Sequence, residues 1–187
     1  MKLFFVVLAS ALTITGVALA GTESGNSLKA FGNGDVTVED GRITLTNDIG
    51  EYSGVYLPSW AQGFSPKLAG IGAMSFDVFG TVNASSPRIS VPLDIDADGD
   101  TDGWAYLSAF YCTGSAAATA DWFTADFTSS SCLIYTSFGG APHAGLDGLA
   151  AAYPDARVAA DEYVFVILND AGTVQISNVQ IKRGPAS

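Results

Sequence analysis

Hydrophobic and polar residues alternate with a period of two over many short stretches of the chain, and clusters of Gly, Asn, Asp and Pro separate these stretches. The clearest pair is residues 36–38 and 43–45, joined by Asp40-Gly41, a dipeptide that suits a tight hairpin turn. Such alternation places successive side chains on opposite faces, so each stretch predicts a half-buried strand. The other predicted strands are residues 54–57, 73–79, 88–93, 104–111, 122–127, 133–136, 163–168 and 173–181.

Two local departures from this pattern carry information. Residues 146–153 place Leu146, Leu149 and Tyr153 at helical spacing and are followed by Pro154, which predicts one short amphipathic helix. In the last predicted strand, residues 174 and 176 share one parity whereas residues 179 and 181 share the other, which predicts a β-bulge near Asn178. Together these elements predict an all-β fold, a two-sheet antiparallel β-sandwich of jelly-roll-like type with one short helix.

The amino end has the pattern of a secretory signal. Residues 1–20 contain one Lys, an apolar run and the small-x-small sequence Ala18-Leu19-Ala20. A membrane anchor is the alternative, but Ser10, Thr13 and Gly16 interrupt a run of barely spanning length. We therefore expect cleavage, a secreted extracellular product without membrane attachment, and a single domain over residues 21–187 with its core at about residues 28–183.

Charge and composition exclude several classes of function. The chain of 187 residues has 8 Lys plus Arg against 19 Asp plus Glu, a formal net charge of −11, which disfavours nucleic acid as a partner. One His and two Cys are too few for a His-rich or Cys₄ zinc centre. In an exported protein these cysteines, Cys112 and Cys132, predict a disulfide; the alternative is a pair of reactive thiols.

An acidic segment has the spacing of a calcium loop. Asp94, Asp96, Asp98 and Asp102 occupy positions 1, 3, 5 and 9, Gly99 occupies position 6, and the backbone carbonyl of Asp100 would serve position 7. Position 12 is not Glu, so the segment is not an EF-hand, and we expect weak affinity, on the order of 10⁻⁴ to 10⁻³ M. The alternative is an acidic turn without an ion. Mutual repulsion among five aspartates favours a structural Ca²⁺.

Aromatic residues supply candidate ligand contacts. Tyr52, Tyr56 and Trp60 surround Pro58, and Tyr52 and Tyr56 have the parity of one strand face. Sugar rings stack on such side chains through their C–H faces, so these three residues predict a glycan platform. Other aromatics lie in strands whose apolar neighbours already supply an inward face; core packing is the alternative for each of them. They are Trp104, Tyr106, Trp122 and Tyr135.

Three segments carry a family resemblance. SPRISV at residues 86–91, AAYPDARV at 151–158 and VFVI at 164–167, with the closing ISNVQI at 176–181, resemble secreted microbial β-sandwich proteins of unassigned function. The closing strand is similar to the last strand of many jelly-roll carbohydrate-binding modules. The resemblance implies a fold and transfers no catalytic residue.

The favoured hypothesis is a secreted, noncatalytic protein that binds an extracellular glycan and carries a structural calcium. One alternative is a structural or adhesive extracellular protein whose aromatics are all core. A sandwich-fold glycoside hydrolase ranks third, since its carboxylate pair could be drawn from five acidic residues but no motif selects them. These residues are Glu51, Asp77, Asp126, Asp161 and Glu162. The single His143 lies in a Gly-rich stretch without a nucleophile elbow.

Overall fold

Two antiparallel β-sheets form a sandwich, as the alternation predicts. The computed structural model describes residues 28–57, 66–83, 86–159 and 166–184. The predicted signal, residues 1–20, lies outside these ranges, as does Trp60. Within them the strands are β1 (Lys29–Gly32), β2 (Asp35–Glu39), β3 (Arg42–Asn47), β4 (Ser53–Tyr56), β5 (Ile71–Gly80), β6 (Arg88–Asp94), β7 (Gly103–Ser108), β8 (Phe123–Asp126), β9 (Leu133–Thr136), β10 (His143–Ala144), β11 (Arg157–Val158), β12 (Val166–Asn169) and β13 (Gly172–Arg183).

The two sheets differ in size and take strands from distant parts of the chain. The eight-stranded sheet has the order β1-β4-β12-β6-β7-β9-β10, with β11 paired to β6. The five-stranded sheet has the order β2-β3-β13-β5-β8. Because neighbouring strands are often far apart in sequence, residues separated by 50 or more positions come to share one sheet face.

The core lies between the sheets and is built from alternate residues of each strand. In β5, for example, Met74, Phe76 and Val78 are fully buried, and the ring centroid of Phe76 lies 5.6 Å from that of Phe127. The intervening Asp77 and Phe79 lie on the outer face and are half-buried. Burial therefore follows the period of two that predicted the strands.

The predicted hairpin, bulge and helix are confirmed. Strands β2 and β3 pair around Asp40-Gly41, both with positive φ. In β13 the register against β5 shifts between Ser177 and Gln180, and Asn178 takes φ 48°, so the residues on both sides of the bulge point inward. The helix α1 (Gly145–Ala152) buries Leu146 and Leu149. No helix in the described ranges is long and apolar enough to cross a membrane.

The predicted disulfide is confirmed, and the strand predicted over residues 104–111 ends early. Cys112 and Cys132 are bonded and buried, and they close a loop with a sequence separation of 20 that contains β8. Strand β7 stops at Ser108 rather than residue 111. The Ser108 side chain accepts a hydrogen bond from the Phe110 N–H and so caps a 3₁₀ turn at Ala109–Tyr111.

Candidate functional site

An open groove lies on the outer face of the eight-stranded sheet, and strand register builds it. Tyr56 of β4 pairs with Val166 of β12, Val166 pairs with Ser90 of β6, and Ser90 pairs with Tyr106 of β7. These four residues form a row perpendicular to the strands, and all four project from the same face because register partners share a face. One tyrosine therefore stands at each end of the row, with the two smaller residues between them.

The row defines the walls and floor of the groove. Three strand spacings separate Tyr56 from Tyr106, which is about 14 Å at the backbone. The volume is about 320 Å³, at the small end of the range typical of small-ligand sites. The lining residues are Phe31, Tyr56, Ser90, Trp104, Tyr106, Val166 and Leu168.

The first wall depends on a glycine. The Phe31 ring centroid lies 4.5 Å from that of Tyr56, so the two rings pack as a pair. Phe31 is the register partner of Gly54, two residues before Tyr56. A Cβ atom at position 54 would stand 2.4 Å from the Phe31 ring, well inside contact distance. Gly54 therefore leaves the space that the Phe31 ring occupies.

The second wall comes from β7. Trp104 and Tyr106 lie on the same strand face and are both half-buried. The backbone N–H of Trp104 donates a hydrogen bond to Ser137 Oγ at 2.8 Å, which holds this end of β7 against the segment after β9. Tyr106 pairs in register with Tyr135 of β9, whose ring lies 4.6 Å from that of Tyr111. The aromatic surface thus continues past the groove.

Of the three predicted platform residues, the structure places one in the groove. Tyr56 lines the groove. Tyr52 is 47% exposed and its ring lies 6.4 Å from that of Phe31, but it is not among the lining residues. The third, Trp60, lies outside the described residues. Sequence reasoning missed Phe31, because the segment KAFG shows no alternation of hydrophobic and polar residues and so did not predict strand β1.

The acidic loop connects β6, which carries Ser90 on the floor of the groove, to β7, which forms the second wall. Asp94 is the last residue of β6 and Asp102 immediately precedes β7, so the hairpin brings them opposite each other. Together with Asp96 they form a group whose carboxylate oxygens lie within 4.8 Å of one another. Asp98 and Asp100 lie outside this group; both are exposed, and Asp98 Oδ1 accepts the Asp100 N–H at 2.9 Å. Such a group could hold a metal ion.

Asp94 is the unusual member of the group. Its side chain is buried, at 3% exposure, and its Oδ2 accepts the Gly99 N–H at 3.1 Å. Its Oδ1 is also buried, yet has no hydrogen-bond partner. A buried carboxylate oxygen without a partner is costly, and a cation bound at Oδ1 would remove that cost. Asp102 differs, because its exposed carboxylate accepts the Ile95 N–H at 2.7 Å.

Asp77, Asp126 and His143 occupy structural positions, and Glu51 Oε2 accepts the Asp48 N–H at 3.0 Å, whereas Asp161 and Glu162 lie outside the described residues. Asp77 accepts hydrogen bonds from Thr124 Oγ1, at 2.6 Å, and from Asn178 Nδ2, across the outer face of the five-stranded sheet. Asp126 accepts from the backbone and hydroxyl of Thr128. The His143 ring packs edge-on against Tyr153, with centroids 5.7 Å apart. None of Glu51, Asp77, Asp126 and His143 is among the described residues that line the groove.

Comparisons with protein-family models, with curated proteins and with solved structures found no match.

Proposed function

We propose that the protein is a secreted glycan-binding β-sandwich, in which the groove takes sugar rings and the loop at residues 94–102 holds a structural Ca²⁺. The observation that carries the proposal is the row Tyr56-Val166-Ser90-Tyr106 on an outer sheet face. Tyrosine and tryptophan faces suit the C–H faces of sugar rings. A mostly apolar lining with a few polar groups is typical of ligand sites.

Polar groups in the groove suit sugar hydroxyls. Ser90 lies on the floor, and its hydroxyl both donates and accepts hydrogen bonds. The phenol groups of Tyr56 and Tyr106 can do the same from the two walls. Stacking would therefore provide affinity, and these hydroxyls would provide orientation.

The two alternative functions receive less support. A structural or adhesive protein with core aromatics would not place Tyr56, Trp104 and Tyr106 around an open groove on an outer face. Self-assembly through a sheet edge favours a long apolar strand, whereas the edge strands within the described residues are short, with β2 the longest at five residues. A glycoside hydrolase needs two carboxyl groups at the sugar, and the described groove lining contains none.

Calcium suits the three-carboxylate group. A cation about 2.4 Å from each ligand oxygen accommodates oxygen pairs separated by up to about 4.8 Å, and the group meets this limit. Ca²⁺ prefers oxygen ligands and tolerates irregular geometry, which matches a loop rather than a rigid cage. The bound ion would neutralise the buried Asp94 and brace the hairpin that carries Ser90 on one strand and Trp104 on the other.

The test measures glycan binding of two tryptophan variants and the parent protein on a glycan array and by affinity electrophoresis. Trp104→Ala should weaken retention on the bound polysaccharide about 10- to 30-fold, the scale of a buried aromatic anchor. The matched control is Trp122→Ala, because Trp122 packs 5.8 Å from Phe79 of the five-stranded sheet and lies away from the groove. Both variants should keep the wild-type far-UV circular dichroism spectrum, which reports the backbone fold. Equal retention by the two variants, or no retention by the parent on any glycan, would overturn the proposal.

A further inference from the structure

The three-carboxylate group lies on the same sheet face as the groove. Along β6, Ser90, Pro92 and Asp94 share one parity, while the residues between them belong to the core. Because Ser90 lines the groove, Asp94 lies on that same outer face, further along the strand. Pro92 pairs in register with Trp104 of β7, which also lines the groove. Asp94 therefore follows Trp104 along this face by one step of two residues, about 7 Å at the backbone.

The Asp94 carboxylate has one oxygen to spare. Its side chain is 3% exposed, and the Gly99 N–H donates to Oδ2, but Oδ1 has no hydrogen-bond partner among the described residues. Arg157 of β11 is the register partner of Asp94, yet Oδ1 receives no hydrogen bond from it. A cation held in the group would compensate this buried oxygen.

The other side of the group is open to solvent. Asp96 and Asp102 are both exposed, so a cation among the three carboxylates would be covered on the Asp94 side only. One oxygen of Asp102 already accepts the Ile95 N–H, as one oxygen of Asp94 accepts a backbone N–H. Ca²⁺ takes about six to eight oxygen ligands, and one oxygen from each carboxylate does not fill that number. The remaining ligands would come from water or from a molecule in the groove.

We infer that the Ca²⁺ contacts the glycan directly: a sugar ring stacked on Trp104 binds the ion through two neighbouring hydroxyl oxygens. This inference rests on the proposed function and names its ligand chemistry, a glycan with a free vicinal pair of hydroxyls on the ring beside Trp104. The two oxygens would replace water on the exposed side of the ion. A purely structural ion would instead keep its water when the sugar binds.

The first measurement locates the ion with the metal alone, using Tb³⁺ in place of Ca²⁺. Tryptophan excitation should produce Tb³⁺ emission in the parent, because energy transfer requires a ring close to the ion. Trp104→Phe should lose most of this emission. The matched control, Trp122→Phe, should keep it, because Trp122 packs against Phe79 of the other sheet. No emission from the parent, or equal emission from the two variants, would overturn the inference.

The second measurement counts the water molecules on Tb³⁺ from its emission lifetimes in H₂O and D₂O. The probes are xylohexaose, cellohexaose, mannohexaose and the polysaccharide that the array retains. At least one should bind about tenfold more tightly with calcium than in chelator, the scale of contacts to a charged group. The same sugar should displace about two water molecules from the ion.

Two exposed aspartates of the loop provide a matched pair of variants. Asp96→Asn keeps an oxygen for the Asp98 N–H but removes a charge from the group, so it should weaken sugar binding in calcium about tenfold. Asp100→Asn removes the same charge outside the group and should bind like the parent. Equal binding by these two variants would overturn the inference.

The water count separates this inference from the proposed function. Sugar binding that depends on Trp104 but leaves the water count unchanged would overturn the direct contact alone, even where chelator weakens binding, because a structural ion also produces calcium dependence. Absence of any Trp104-dependent sugar binding would overturn the proposed function as well.

Discussion

The outer faces of the two sheets differ in chemistry. The outer face of the eight-stranded sheet presents Tyr56, Trp104 and Tyr106 around a groove. On the outer face of the five-stranded sheet, short polar side chains pair across strands, such as Thr46 with Thr173, whose hydroxyls lie 3.3 Å apart, and the aromatic pair Phe79–Trp122 packs together without lining that groove. Both sheets bury their inner faces in the core. Packing between the sheets therefore accounts for the inner faces, and the aromatic row is the outer-face feature that the proposed function would explain.

The largest expected effect on stability comes from a substitution in the core between the two sheets. Phe76→Ala should lower the free energy of unfolding by about 3 to 5 kcal/mol, because it empties a fully buried site against Phe127. Phe79→Ala, on the outer face of the same strand, should cost about 1 kcal/mol. Urea denaturation of both variants measures the difference. Equal losses would show that the outer face of the five-stranded sheet packs like a core.

The second effect concerns the disulfide that closes the loop carrying β8. The Cys112–Cys132 loop contains β8 of the five-stranded sheet, while β7 and β9 of the eight-stranded sheet flank it. Replacing both cysteines by Ala should cost about 3 kcal/mol through the entropy of the unfolded chain. Sugar retention at low temperature should persist, because Trp104 and Tyr106 do not depend on the bond for their register. A thiol titration of the parent protein, purified without reductant, is the control; two free thiols would contradict the structure.

The third effect concerns calcium at the acidic loop, residues 94–102. Calcium at about ten times its dissociation constant should stabilise the protein by about 1.4 kcal/mol, since only the folded loop presents its ligands together. Thermal melts in millimolar calcium and in chelator measure this shift. Asp94→Asn should abolish it, whereas Asp100→Asn, which removes an exposed charge outside the three-carboxylate group, should retain most of it. Superimposable melts for the parent would leave an acidic turn without an ion.

The smallest effect is expected for a substitution on the outer face of the five-stranded sheet. Asp77→Asn weakens the acceptor of two side-chain hydrogen bonds, from Thr124 and Asn178. Because these bonds are solvent-exposed, the loss should be about 1 kcal/mol or less. Glycan retention should be unchanged, which retention assays on the purified variant would check. A loss of retention would place a ligand contact on this face and break the contrast between the sheets.

Local sequence patterns predict ten of the thirteen described strands, missing the short β1, β10 and β11, and they do not predict which residues meet. The parity change between residues 176 and 179 was enough to predict the bulge, since inward-facing residues must keep one face. The groove instead depends on pairing between distant strands: Tyr56 and Tyr106 share a row only through β12 and β6. Phe31 could not be recognised, because its position over Gly54 depends on β1 pairing with β4.

The acidic loop illustrates the same limit. Its spacing predicts five candidate aspartates, but spacing cannot distinguish the residues at the base of the hairpin from those at its tip. The paired strands bring Asp94 and Asp102 together, and burial makes Asp94 the member with an unpartnered oxygen. Asp98 and Asp100 extend beyond the pairing and remain exposed. Selection among the five therefore comes from tertiary structure.

The bulge at Asn178 also has an evolutionary consequence. Strand β13 spans twelve residues and is central to the five-stranded sheet, with β3 on one side and β5 on the other. Deleting one residue elsewhere in the strand would reverse the faces of every side chain beyond it and expose half of the apolar set. At Asn178 the phase already changes, so length variation there costs least. Insertions and deletions in this strand are therefore expected to accumulate at the bulge in any lineage that keeps this fold.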